Sequence, residues 1–450
     1  MKNSEGFYWE RHPEVERFFF HYLDIYRRKN SFIKDFERDL IRQTSSGILG
    51  WIDHIMVKDS AEIRMELNSL GFKRNENTDA RAFYHPGVLL PAVLLVDNSS
   101  ESDPGIAFCV EDIDIFLRAN GLEKNIEGPA LGPYRHSCIH CQNGTSFCVV
   151  ERRGTRNFDP VFPEDDYFRN YVQGIADWKN LRRDEEDEEK IFAEMKLIAG
   201  NLVTNLGAGP AAHIVLLCER DYWVSRNSAG KTQKKRQDAL GIGWANQDHH
   251  TFRSSRRNFS KLIDLFLQLG FHKRERFYAG EEAGWGAQVM EHPIAGLCLF
   301  LDVDLAPEEV DIDFSEHDLQ DRETLGTVGL WCALHGDSIL KAGMHHLAAR
   351  FDFERLIEDA AGYKISFMPP FSNFPYLKQA FSVAEIWPVA PSGIRKLVQE
   401  KLLSEAQAGK FLDRGSVGSH MENIERRDGY KGFNKKNVSA IIQETDPRKD

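Results

Sequence analysis

Two pairs of adjacent histidines carry the first chemical signal in the chain. Asp248-His249-His250-Thr251-Phe252-Arg253 is a strand-like piece that runs into a helix-like stretch ending at Gly270. Met344-His345-His346-Leu347-Ala348 runs in the same way into a stretch ending at Gly362. His249 and His346 occupy equivalent places in the two pieces. Two imidazoles from two first strands, joined by one distant carboxylate, make a half-open metal site, and that donor set suits ferrous iron. The carboxylate is expected on a closing strand further along. Glu385 and Glu422 are candidates, and Glu291, at the end of a strand after Trp285, is a reserve. Apolar spacing over residues 376–404 suits helices better than a closing strand, whereas Glu422 alternates with its neighbours, which favours Glu422. His250 and His345 should point to the opposite face of each strand, although strand twist can still bring His345 to the pocket. Arg253, four residues beyond His249, is either a bidentate partner for a substrate carboxylate or a surface cation.

The elements that must hold these residues repeat. Near residues 52, 106, 247 and 344 one unit restarts: a short strand, a helix, a glycine, then more strands. Such a βαβββ module cannot close its own sheet, so modules are expected to pair side by side around a cleft. The fold class is therefore α+β, with two double-module domains and an inserted helical/loop segment. The expected divisions are a helical extension over 1–45, a first domain over 46–160, an inserted segment over 161–240, and a second domain over 241–450 with a closing helix. The insertion holds an acidic run near Arg183–Lys190 and a basic run over Ser228–Arg236, which read as solvated faces or mobile loops. Ala229-Gly230-Lys231-Thr232 is not a phosphate loop, because Ser225 stands where the leading glycine is required. His54 and Glu151 hold corresponding places in the first domain and are read as structural. Cys138 and Cys141 with His136 resemble half a zinc site, but no second pair follows at suitable spacing and the alternation reads as a strand.

Bulk properties narrow the function classes. The 450 residues are too many for one core, and 42% hydrophobic with 11% aromatic residues is ordinary for globular domains. A net charge of −12 argues against nucleic acid or an anionic membrane as the main partner. No apolar run approaches a membrane span, and the N-terminus lacks the order of a signal peptide. Seven cysteines without framework spacing suit a reducing cytoplasm. A homo-oligomer is compatible with this composition.

The order of the pieces resembles the 4-hydroxyphenylpyruvate dioxygenase and hydroxymandelate synthase family of the vicinal-oxygen-chelate superfamily. The matching pieces are Asp248-His249, the strand Gly343–Ala348, and Met421-Glu422-Asn423-Ile424-Glu425-Arg426 with the turn Gly432-Phe433-Asn434. In the first domain, Gly105–Asp112 and Phe147–Arg152 resemble that family's metal-free half. The resemblance implies Fe(II) on His249, His346 and Glu422. It implies a 2-oxo acid substrate, decarboxylated with O2 while its own distal part is hydroxylated. It also implies pocket positions at Gln288, His345, Asp413, His420, Phe433 and Asn437. The family's glutamines are replaced here by His345 and Asp413, and an aromatic by His420; Lys435, Lys436 and Asn437 make the closing helix more polar. These departures point to a substrate more polar than 4-hydroxyphenylpyruvate, with an amine facing Asp413 as one form of it. Other readings are an extradiol-type or 2-oxoadipate-type dioxygenase on the same fold, or a binding protein that kept the cleft and lost the metal.

Overall fold

A computed structural model of the chain describes residues 9–75, 79–97, 103–183, 187–278, 284–310, 312–434 and 445–448. Two amphipathic helices, α1 (Pro13–Lys29) and α2 (Ser31–Thr44), open the chain and bury Phe18, Phe19, Leu23, Ile33, Phe36 and Leu40 against the first sheet. The first module follows as β1 (Ile52–Lys58), α3 (Ala61–Ser69), β2 (Lys73–Asn75), β3 (Asp79–Tyr84) and β4 (Ala92–Val96). The second is β5 (Gly105–Cys109), α4 (Ile113–Ala119), β6 (Tyr134–Gln142) and β7 (Thr145–Arg152), one strand shorter. Their seven strands lie in the order β2-β3-β4-β1-β5-β7-β6, with β1 antiparallel to β5 where the modules meet.

The insertion is a layer of four helices: α5 (Asp165–Lys179), α6 (Glu188–Leu206), α7 (Ala208–Ser225) and α8 (Ser228–Asp238). This agrees with the expected helical segment. Glu189, Lys190, Lys231 and Lys235 of the two charge runs are exposed, as a solvated face requires. Residues 184–186 lie outside the described residues, and only the mobile-loop alternative fails, for the basic run. Met195, Ala212, Leu216 and Trp223 join one hydrophobic core with Phe252, Leu299 and Leu347 of the second domain. The basic run is helix α8, started by the Asn227 side chain accepting from Gly230 N, with Gln233 and Arg236 buried. Burying those polar groups is tolerable because each is engaged: Gln233 donates to Thr44 O and Arg236 pairs with Asp359 at 2.6 Å.

The third module comprises β8 (Gln247–Arg253), α9 (Arg256–Gln268), β9 (His272–Tyr278), β10 (Trp285–His292) and β11 (Leu297–Asp304). After α10 (Thr327–His335), the fourth comprises β12 (His346–Ala349), α11 (Phe353–Ala361), β13 (Ser372–Phe374), β14 (Leu377–Phe381) and, later, β17 (His420–Arg426). An excursion of β15 (Ile386–Trp387), α12 (Pro391–Gln399), α13 (Glu405–Arg414) and β16 (Ser416–Val417) separates β14 from β17. Three module helices start at a side-chain cap, Ser60, Asp112 or Asp352, each worth about 1 kcal/mol. The eight strands run β13-β14-β17-β12-β8-β11-β10-β9, with β12 antiparallel to β8 at the junction. Both sheets thus follow the paired βαβββ plan of the vicinal-oxygen-chelate fold, with first strands central. The closing helix expected near the C-terminus falls on residues 435–444, outside the described residues. Among the described residues, no helix is long and apolar enough to cross a membrane.

Candidate metal centre

The order β17-β12-β8 makes neighbours of the three strands that carry Glu422, His346 and His249. In the strand register Ala348 lies between Glu422 on one side and His249 on the other. His346 is two residues back along β12, on the same face. A small, fully buried side chain at 348 leaves the space above it to the three donors. The opposite faces of these strands, with Phe252, Leu347 and Met421, pack on the helical layer.

His249 Nε2 lies 3.2 Å and His346 Nε2 3.0 Å from Glu422 Oε2. Ligand atoms of the three residues all fall within 4.8 Å of one another, and all three residues are buried. This is the group among the described residues that can hold a metal ion. Its chemistry fits: two imidazoles and one carboxylate converge from one side, and burial alone would be costly for such a cluster. Burial opposes ionisation of Glu422, but the two histidines outweigh it and hold the carboxyl well below its usual range. Burial also opposes a charged His249, yet Glu422 and Asp248 bring it up to about 9. His346, buried and beside His249, is held below its usual value. Without a metal the cluster therefore keeps a proton on His249, and a cation would take that proton's place.

Each donor is oriented from behind. His249 Nδ1 is 3.0 Å from Asp248 Oδ1, so its Nδ1–H donates there and Nε2 is left for the centre. Asp248 is itself held by Arg426 and, at 3.3 Å, by Arg350. His346 Nδ1 is 3.0 Å from His345 Nδ1. If His346 Nε2 faces a cation, its Nδ1–H donates to His345, and His345 then carries its proton on Nε2. The second oxygen of Glu422 accepts from Gln379 Nε2 at 2.9 Å. Gln379 is a residue that sequence reasoning missed. It lies on β14, in Leu377-Lys378-Gln379-Ala380-Phe381, where no alternation of apolar residues marks a strand.

The other sequence-predicted positions divide. Arg253, His345 and Phe433 line the pocket that holds the three donors. Phe433 packs edge-on against His249 and Phe300, at 5.1 and 4.7 Å between centroids. His420 lies behind the pocket wall, stacked on Phe381 at 5.1 Å and bonded through Nδ1 to Ser382 O at 2.9 Å. Gln288 is placed elsewhere: its amide donates to Glu275 O and Val289 O, while Trp285 and Val289 are the β10 residues that line the pocket. The alternation of β10 explains this, since Gln288 is out of phase with both. Asp413 is also placed elsewhere, 81% exposed on α13, where its nearest cation is Arg414. An exposed Asp413 cannot face a substrate amine in this pocket, which Gln379 of β14 lines and Asp413 does not. Asn437 lies outside the described residues. Glu385 accepts from Ser228 N at the start of α8, and Glu291 pairs with Arg274, so neither reaches the centre. In the first domain, His54 is bonded to Asp53 at 2.7 Å, and Glu151 is enclosed by Arg135 and Arg153.

No protein-family model and no curated protein matches the chain. Among solved structures, a mutant of 4-hydroxymandelate synthase from Streptomyces coelicolor covers 89% of this chain and 100% of its own, at 11% identity and a TM-score of 0.29. Methylmalonyl-CoA epimerase from Mycobacterium tuberculosis covers 40% of this chain and 87% of its own, at 12% identity and 0.23. An uncharacterized Shigella flexneri protein that includes domain DUF1338 covers 62% and 82%, at 12% identity and 0.25. Likeness at this level carries nothing about the reaction.

Proposed function

We propose that this chain is an Fe(II)-dependent dioxygenase that oxidatively decarboxylates a 2-oxo acid and hydroxylates the same molecule. In that reaction one oxygen atom of O2 enters the new carboxylate, the other enters the hydroxyl group, and the original carboxylate leaves as CO2. The observation that carries the reading is the donor set: two imidazole Nε2 atoms and one carboxylate oxygen, buried together on one face of three adjacent strands. Ferrous ion held by His249, His346 and Glu422 would supply open positions for the 2-oxo acid and for O2. The chain's own part is to hold and to enclose. Asp248 and His345 fix the two imidazoles, and Gln379 fixes the carboxylate. Phe300, Phe381 and Phe433 wall the pocket and keep water from the reacting molecule. Arg253, Asp302 and His345 give the same pocket a polar side, which supports a substrate more polar than 4-hydroxyphenylpyruvate.

The test is O2 uptake by the Fe(II)-loaded full chain against a panel of aryl and aliphatic 2-oxo acids. The reading predicts substrate-dependent uptake with one CO2 released per O2 consumed, abolished in Glu422→Ala and retained in Glu385→Ala. Uptake without CO2 release would point to ring cleavage instead. No uptake with any 2-oxo acid, on iron-loaded protein, would remove the reading.

A further inference from the structure

The two domains leave a cleft between them. It is a cavity of about 450 Å³, within the range of small-molecule sites, and residues of both domains line it. Trp51, Leu90 and Phe158 from the first domain, with Trp244 and Leu297 from the second, make part of the wall apolar.

The charges on that wall do not balance. Six arginine and lysine side chains line the cleft against four carboxylates. Three of the cations are matched: Arg152 donates to Asp53 at 2.8 Å, Arg274 pairs with Glu291 at 2.5 Å, and Arg350 Nε stands 3.3 Å from Asp248. The other three are poorly met. Arg220 of α7 is 3% exposed, and its Nε has no hydrogen-bond partner among the described residues. Its Nη1 donates to Gln247 at 2.8 Å, but the Glu111 carboxylate is 3.5 Å away. A buried N–H left open in this way forfeits its water without replacement. Lys431 reaches only the Glu291 oxygen that Arg274 already holds, and at 3.6 Å. Arg156, exposed at the edge of the cleft, pairs with no carboxylate among the described residues.

Arg156 is nevertheless seated. It follows β7 of the first domain, and its guanidinium lies over Gly296 in the β10–β11 turn of the second, where a Cβ would stand 2.9 Å from Nε. That seat brings it close to Lys431. Burial lowers the Lys431 ammonium from its ordinary value, and Arg274 and Arg156 add to the effect against the pull of Glu291. Like charges crowded on a partly dry wall are relieved by an anion.

The cleft also shares a partition with the metal pocket. Phe433 lines both cavities, and Asp248 lines the cleft while its Oδ1 accepts from His249 Nδ1. Arg350, on the cleft side, holds the other oxygen of Asp248. An anion that draws Arg350 toward itself loosens that hold, and with it the orientation of a metal-facing imidazole.

We propose that this cleft is a second ligand site, distinct from the metal pocket, which takes an organic anion with an apolar body and transmits its occupancy to the metal centre through Arg350 and Asp248. Guanidinium and ammonium groups meet a phosphate or a carboxylate head, and the apolar wall takes the body. Binding is independent of the 2-oxo acid reading, and only its transmission rests on the metal centre.

The probes are 1-naphthyl phosphate, 1-naphthoate and the neutral 1-naphthamide, titrated by calorimetry into the metal-free full chain. At least one anion should bind about tenfold or more tightly than the amide, and Arg156→Glu should weaken that anion by about tenfold or more, because it sets like charges together. Arg156 is exposed, so this variant keeps the fold. The preference between the two anions identifies the head group. Equal binding of all three compounds, no binding of either anion, or an affinity unmoved by Arg156→Glu would overturn the site. A second arm repeats the titration on the cobalt-loaded chain. Transmission predicts an anion affinity changed about fivefold or more by the metal, and by reciprocity a metal affinity changed equally by the anion. Arg350→Gln should abolish the change, while Arg426 still holds Asp248. A change that survives Arg350→Gln would put the anion on the metal and overturn the proposal. No change in the wild type would strike the transmission from it.

Discussion

At the scale of single residues, the centre depends on groups that would never touch a cation. Gln379 is the clearest case. Its amide nitrogen holds the oxygen of Glu422 that faces away from the histidines, and its oxygen accepts from Asn434 N at 3.4 Å. Gln379→Ala should leave the chain folded and reduce metal affinity about 10- to 100-fold, the range seen when such supporting hydrogen bonds are lost. A cobalt or ferrous titration monitored against thermal unfolding reads the two effects separately. Unchanged affinity would mean that Glu422 is positioned by its strand alone. The sequence hid Gln379 because polar Lys378 and Gln379 interrupt a short apolar stretch, and because the helices α12 and α13 follow closely. The same neighbourhood explains Asp413: Ser404 and Gln407 form a reciprocal cap at the start of α13, which makes residues 405–414 a helix and turns Asp413 to solvent.

At the scale of elements, strand order does most of the positioning. The restarts near 52, 106, 247 and 344 were legible because each is a short strand-like piece followed by a helical stretch and a glycine, and the observed strands β1, β5, β8 and β12 begin there or within two residues. Pairing of the second domain's modules then brings His249 and His346 onto adjacent strands. The excursion between β14 and β17 was not legible, since nothing local in the chain says that a strand begun at Leu377 is completed by one at His420. Entry into β12 is tightly built. Gly343 has φ +80°, and a Cβ there would stand 2.8 Å from Tyr222 Cδ1. Gly343→Ala combines backbone strain with that contact, at a cost of about 1–3 kcal/mol. Because His345 and His346 follow directly, it should also weaken metal binding. Chemical denaturation and metal titration of the same variant would check both, and wild-type values in each would refute this view of the turn.

At the scale of the whole molecule, the helical layer is the base on which the second sheet rests. Charge runs over residues 161–240 suggested solvated faces or mobile loops, and Glu189, Lys190, Lys231 and Lys235 do lie exposed on helices, but composition alone does not reveal which charged side chains pair with one another inside. Glu219 of α7 shows how this is done. It is fully buried and accepts from Trp178 Nε1 at 2.8 Å while pairing with Arg183, whose guanidinium also donates to Ile339 O and Leu340 O at 3.2 and 3.3 Å. Those carbonyls belong to the turn that leads into β12. Glu219→Ala leaves a mostly buried cation unmatched and should destabilise the fold by about 3–5 kcal/mol. Urea denaturation would measure it, and a loss below about 1 kcal/mol, the scale of an exposed pair, would show that the site is solvated after all.

The most direct measurement of the central claim is iron stoichiometry on the anaerobically reconstituted full chain and five single variants. The account predicts one Fe(II) per wild-type chain, lost in His249→Ala, His346→Ala and Glu422→Ala and retained in Glu291→Ala and Glu385→Ala. Iron retained in Glu422→Ala but lost in Glu385→Ala would contradict the assignment of the third donor, and no iron bound by the folded wild type would contradict the metal centre itself.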